Sequence, residues 1–166
     1  MTPPEVYDDA IEPELATELE AAILARAEPG RPYPGGANRG GWKSSIDLFS
    51  WPEAPFQTLR QRISMVLEVA GGFSIGGAWA VVNRDGSWHG RHRHGVPLMG
   101  ILFVAPGDPP VPTIFECNGG EIPIDPARGR LVLAGDLYHR VPVYSGHAPR
   151  VVVAFDARIA KVGARP

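Results

Sequence analysis

The chain has a single cysteine, Cys117, among its 166 residues. One thiol closes no internal disulfide, so the fold does not depend on an oxidising compartment. No uninterrupted apolar run approaches the roughly 18 residues that a membrane-spanning helix needs. The opening "MTPPEVYDDAIEPE" is acidic where a secretory signal is basic and then apolar. A cytoplasmic location with no membrane partner is therefore expected. A surplus of either charge is missing too: 16 Lys and Arg against 18 Asp and Glu leave a formal net charge of −2. That balance gives no overall drive toward nucleic acid or an anionic surface. There is no internal repeat and no low-complexity segment, which excludes solenoids and extended linkers.

What is present in quantity is turn chemistry, with 20 Gly and 18 Pro. The length is that of one ordinary domain, and residues 1–166 are read as such. Residues 1–72 supply helical support and a long loop, and residues 73–158 supply a β core. In "EPELATELEAAILARAEPG", Pro13 suits a first helical turn, Leu15, Leu19 and Ile23 recur every four residues beside Ala22, and Pro29-Gly30 ends the pattern. In "APFQTLRQRISMVLEVAGG", Phe56, Leu59, Ile63, Val66, Leu67 and Ala70 form one stripe before Gly71-Gly72. The intervening "GRPYPGGANRGGWKSSIDLFSWP" has no period and reads as a long loop, and loops of that length are often functional. After it come short runs of strand formers: "AWAVVN", "PLMGILFVA", "PTIFE", "RLVLAG", "RVPVY" and "RVVVAFD". Their spacing suggests an antiparallel sandwich or barrel with the two helices packed on one outer face.

Three of the five histidines fall in "HGRHRHG". On extended backbone, which the flanking glycines and Pro97 favour, His92 and His94 point to one face while Arg91 and Arg93 point to the other. Two imidazoles side by side can hold one ion, and neutral imidazole is the commonest protein ligand for Zn, Fe, Cu and Ni. A third ligand must come from elsewhere, and His139, leading a short strand after a Gly135-Asp136 turn, is the best placed. His89 has the opposite strand parity and is expected outside the site. Arg150, Val152 and Ala154 share a face of the last strand. An arginine directed inward there needs an anionic partner, and its fork suits a carboxylate.

The order of "HRH", "GILFVAP", "GDLYHRVP" and "RVVVAF" resembles the 2-oxoglutarate/iron(II) oxygenases, over about residues 75 to 158. The resemblance implies a mainly β (α+β) architecture: a double-stranded β-helix, or cupin-like jelly-roll barrel, with two N-terminal supporting helices. It implies a dioxygenase that uses Fe(II), 2-oxoglutarate and O2 to oxidise a small-molecule substrate, by hydroxylation or a related oxidation. Carried over by position, His92 and His139 match iron ligands, His94 the position two after the first ligand, and Arg150 the residue that pairs the far carboxylate of 2-oxoglutarate. One departure stands out: most of that family carry Asp or Glu where this chain has His94, completing a two-histidine, one-carboxylate triad. Three imidazoles leave the ion its full charge; they could still hold iron and an anionic cosubstrate, and they also fit a cupin-type three-histidine dioxygenase or isomerase that does not use 2-oxoglutarate, the runner-up reading. A non-catalytic barrel that binds a sugar or a partner is a third reading. Asp136 or Glu116 could bring a carboxylate from another strand.

Trp79 and Asn83 share a parity on "AWAVVN" and are candidate cofactor-binding residues beside Arg150, one stacking and one hydrogen bonding near the ion. The competing reading is a core tryptophan and a strand-end amide. For Arg150 it is a structural salt bridge. Trp42, Lys43 and Ser44 are where a substrate lid is sought. His147 reads as an exposed loop residue, Arg91, Arg93 and Arg140 as a solvated face, and Cys117 as a buried thiol. A homodimer formed through an edge strand remains open.

Overall fold

The computed structural model describes residues 2–27 and 36–160. Both helices form where apolar spacing places them. Helix α1 (Pro13–Arg26) starts on Pro13 and buries Leu15, Ala16, Leu19 and Ile23. The expected stop at Pro29-Gly30 lies outside the described residues. Helix α2 (Ala54–Val69) buries Phe56, Leu59, Ile63 and Leu67 and closes where the amide of Gly72 donates to Glu68 O at 3.0 Å. Val66 is only partly buried, and Ala70, expected on the apolar stripe, is exposed because the helix has already ended. No described helix is long and apolar enough to cross a membrane.

The strands are β1 (Glu5–Tyr7), β2 (Asn38–Arg39), β3 (Trp42–Lys43), β4 (Phe73–Asn83), β5 (Trp88–His92), β6 (Leu98–Ala105), β7 (Thr113–Cys117), β8 (Gly120–Ile124), β9 (Leu131–Ala134), β10 (His139–Val141) and β11 (Arg150–Ile159). They pair antiparallel into two sheets: a major one ordered β1-β9-β6-β11-β4-β3 and a minor one ordered β2-β5-β10-β7-β8. The result is a mainly β jelly roll, as expected. The described part of the supposed long loop is not irregular throughout. It gives one short strand to each sheet, β3 to the major and β2 to the minor, and a 3-10 turn over Leu48–Ser50.

Alternation along β4 and β11 divides the core in two. Ala78, Ala80, Val82, Val151, Val153 and Phe155 face the helices and pack with Leu19, Phe56 and Leu59. Trp79, Val81, Val152 and Ala154 face inward and pack with Phe103, Phe115 and Cys117 between the sheets. A period of two puts successive side chains on opposite faces, so one strand serves both cores. Helices therefore cover the outer face of the major sheet and leave its inner face free to build a site against the minor sheet.

Candidate metal centre

His139 and His92 lie directly opposite each other on β10 and β5. Such cross-strand pairs bring side chains into contact, and the two rings sit 4.3 Å apart at their centroids. His94 lies two residues past the end of β5, on the same side, 5.2 Å from His139 and 5.4 Å from His92. Gly95 follows with φ +69°, and its amide donates to Asp136 Oδ1 at 2.8 Å, so the chain turns away directly after His94. One ring nitrogen from each of His92, His94 and His139 lies within 4.8 Å of the other two.

The opposite nitrogens set the tautomers. Nδ1 of His92 lies 2.8 Å from Gly90 O, Nδ1 of His139 lies 3.3 Å from Leu137 O, and Nδ1 of His94 lies 2.6 Å from Asp156 Oδ1. Carbonyl and carboxylate oxygens only accept, so each Nδ1 carries a proton, and Nε2 is the nitrogen that each ring can offer a metal. Three such nitrogens held together are a metal-binding donor set. Burial pushes the His92 ring below the usual imidazole range. Burial, then the neighbouring His92 and His94, lower His139 to about 3. Both rings are therefore neutral and ready to bind at physiological pH.

The triad opens on a cavity of about 310 Å³ between the sheets, lined among others by Trp79, Met99, Ile101, Val152 and Ala154, with Lys43 and Asp156 also on its wall. Arg150 also lines it and is 1% exposed. Its Nη1 donates to Asn83 Oδ1 at 3.1 Å and its Nη2 to Thr113 Oγ1 at 2.9 Å, and Phe103 lies beneath the guanidinium at 5.3 Å. Among the described residues no carboxylate pairs with it, so the structural salt bridge considered for Arg150 is not there. Burial lowers its pKa to about 10, and it keeps its charge at neutral pH. Four buried side-chain atoms among the described residues have no hydrogen-bond partner: Arg150 Nε, His89 Nε2, Asn38 Oδ1 and Glu53 Oε2. The first three belong to residues lining this cavity. Buried polar atoms are normally paired, and their concentration here fits a polar ligand.

Several expectations need correction. Asn83 is fully buried and does not line the cavity. It stands opposite Arg150 on the neighbouring strand, receives its hydrogen bond and donates to Ser87 Oγ at 3.1 Å. Trp79 lines the cavity, 5.4 Å from the His94 ring. Trp42 and Lys43 are held in β3 against Val82 and Val81, and Ser44 is pinned to Ala80 by two hydrogen bonds of 2.9 Å. The segment is thus an edge strand and not a lid, although Lys43 reaches the cavity with its Nζ 4.5 Å from the centroid of the Trp79 ring. Glu116 is bound to Arg91 at 2.7 Å, and Asp136 pairs with Arg93 at 3.4 Å. Both are therefore engaged away from the triad. Arg140 pairs with Glu121, which makes the expected solvated face a set of ion pairs. His147 is exposed, as expected, beside Asp108, and Cys117 is buried.

Two residues escaped the sequence. His89 lines the same cavity as His92 despite its opposite parity. Between the pairs His139↔His92 and Val141↔His89, β5 advances three residues while β10 advances two. That bulge resets the alternation. Asp156 was readable: it continues the even-numbered face of Arg150, Val152 and Ala154 along β11, and all four line the cavity.

No protein-family model matches the chain, and no curated protein matches it in sequence. Solved structures do match. A prolyl hydroxylase from Trichoplax adhaerens, solved with a hypoxia-inducible-factor peptide fragment, is 14% identical with a TM-score of 0.74, over 94% of this chain and 83% of that one. HygX from Streptomyces hygroscopicus, solved with nickel and 2-oxoglutarate, is 11% identical with a TM-score of 0.70, over 95% and 83%. A 2OG-Fe(II) oxygenase family oxidoreductase from Burkholderia pseudomallei is 11% identical with a TM-score of 0.68, over 98% and 88%. At such identities the likeness is one of fold, and the chain has the fold of the 2-oxoglutarate/iron(II) oxygenases.

Proposed function

We propose that the chain is an iron(II)- and 2-oxoglutarate-dependent oxygenase that oxidises a small molecule. The observation that carries the reading is Arg150: a fully buried guanidinium, held by two neutral partners, on the wall of the cavity that contains the three-histidine cluster. A buried cation without a counter-charge is expensive, and an anion in the cavity offsets that cost. A keto dicarboxylate such as 2-oxoglutarate would satisfy both groups, with an ion held by the triad at one end of the cavity and Arg150 available to its carboxylate. HygX, with the same fold, was solved with nickel and 2-oxoglutarate. Bound iron and 2-oxoglutarate together supply the power to activate O2 for oxidation of a C–H bond.

The chain's own contribution is placement. His92, His94 and His139 would hold the ion, and Asn83 and Thr113 orient the Arg150 fork for a carboxylate. Trp79 stands beside His94 as a flat wall against which the ligand can stack. Val152, Ala154, Ile101 and Met99 give the cavity an apolar wall. At about 310 Å³ the cavity is at the small end of the range for ligand sites, which supports a small molecule.

The donor set itself favours a second reading, a cupin-type metalloenzyme that uses three imidazoles without 2-oxoglutarate. Calorimetric titration of 2-oxoglutarate into the nickel-loaded protein separates the two. The oxygenase reading expects saturable binding that Arg150→Met weakens by roughly a hundredfold or more, the cost of losing a buried charge pair. Nickel binding without 2-oxoglutarate binding would favour the cupin reading. Failure of the anaerobically purified protein to take up any transition metal would leave only a binding module.

A further inference from the structure

His94 stands two residues after His92, at the position where most 2-oxoglutarate/iron(II) oxygenases complete a two-histidine, one-carboxylate triad. Three neutral imidazoles leave a divalent ion its whole charge. A carboxylate is nevertheless close by: Asp156 Oδ1 lies 2.6 Å from His94 Nδ1. The other two rings are backed differently, since Nδ1 of His92 and of His139 each meets a neutral backbone carbonyl. Of the three, His94 is the one with an anion behind it.

The pair is built into the fold. Asp156 sits on β11 in register with Gly77 on one side and Met99 on the other. The His94 side chain is 10% exposed and that of Asp156 is 26% exposed. Lys43, which rests over the Trp79 ring, also lines this cavity and feels the charge of Asp156. The hydrogen bond of Asp156 is made to His94.

We propose that Asp156 is a positioning residue of the metal centre, supplying through His94, one hydrogen bond out, the negative charge that a carboxylate ligand supplies directly. By formal count, three imidazoles, one carboxylate and a divalent ion give a net +1, the same as two histidines, one carboxylate and the ion. The bond also holds the His94 ring with its Nε2 lone pair presented, and a carboxylate partner raises the basicity of a ligating imidazole. His94 and Asp156 together therefore act as one anionic ligand divided between the extension of β5 and β11. The inference rests on the metal-binding reading above and goes beyond it by assigning a role to a residue outside the triad.

The test is a double-mutant cycle on nickel affinity, measured with the full-length chain by competition against a chromophoric chelator. Asp156→Asn keeps the shape and removes the charge. It is expected to weaken nickel binding about 10- to 100-fold, with the thermal midpoint of the metal-free protein close to that of the unaltered chain. In a His94→Ala background the same substitution is expected to change affinity by less than about twofold, because residues that act as one unit are not additive. Cobalt(II) gives a second readout: Asp156→Asn should shift the visible ligand-field bands, which a purely structural role would not move. Unchanged nickel affinity in Asp156→Asn, or the same loss in both backgrounds, overturns the proposal. Tight binding by His94→Ala that Asp156→Asn then abolishes also overturns it, by making Asp156 a direct ligand. If the unaltered chain binds no metal, the functional reading itself fails. If it binds metal and Asp156→Asn behaves identically, only the present inference fails.

Discussion

Burial pushes His89 and His139 each down to about 3 against an ordinary value of 6.5, because it withholds water from the charged ring; Arg150 adds to the penalty at His89, and the clustered imidazoles add to it at His139. The sign follows directly. Below about 6.5 the unfolded chain takes up protons that the folded chain refuses, so stability present above that pH drains away between 6.5 and 3. The urea midpoint of the metal-free protein should be level above neutrality and fall steadily on acidification, and His89→Leu should make that fall shallower. An acid slope unchanged by His89→Leu would show that the ring is not held neutral. Arg150 makes the opposite kind of prediction. Its hydrogen bonds go to neutral groups; losing them costs about 1–3 kcal/mol per orphaned group, whereas removing an uncompensated buried charge relieves several kcal/mol, so Arg150→Met should leave the thermal midpoint of the metal-free protein little changed. A large drop would make Arg150 a structural residue and remove its claim on a ligand.

At the scale of elements, the helices and the longer strands were legible because each carries a sustained period: about four residues along α1 and α2, and two along β11 and residues 78–83 of β4. The same alternation directed Arg150 inward. Legibility failed where the structure depends on a partner. Strand β1 is three exposed residues, recognisable only by its pairing with β9, and β8 carries Pro123 inside a run that reads as a turn. The bulge in β5 is a property of the register between two strands, so nothing within "HGRHRHG" announces that His89 turns back toward the cavity. Asp156 needed no partner to be found, only extension of the β11 face by one more step. Close strand packing gives a prediction at this scale. A Cβ on Gly100 would lie 2.0 Å from the Phe155 ring, which is fully buried on the helix side of the major sheet. Gly100→Ala should therefore destabilise the protein by about 1–3 kcal/mol, the usual cost of overpacking, read as a lower denaturant midpoint with an unchanged slope.

Across the whole molecule, the candidate metal centre joins the two sheets. His92 and His139 come from the minor sheet, and His94 is tied to Asp156 on the major one. Binding to the folded state alone stabilises it by about 2.7 kcal/mol at a hundred times the dissociation constant, so nickel should raise the thermal midpoint by several degrees and a chelator should return it. His139→Ala should abolish that increment. The central claim is that this centre takes iron and 2-oxoglutarate together, and the most direct measurement is anaerobic titration of the iron(II)-loaded protein with 2-oxoglutarate, followed by visible absorption. A saturable metal-to-ligand charge-transfer band, lost in Arg150→Met, is the expected result. Iron that binds and gives no such band at any 2-oxoglutarate concentration would contradict it.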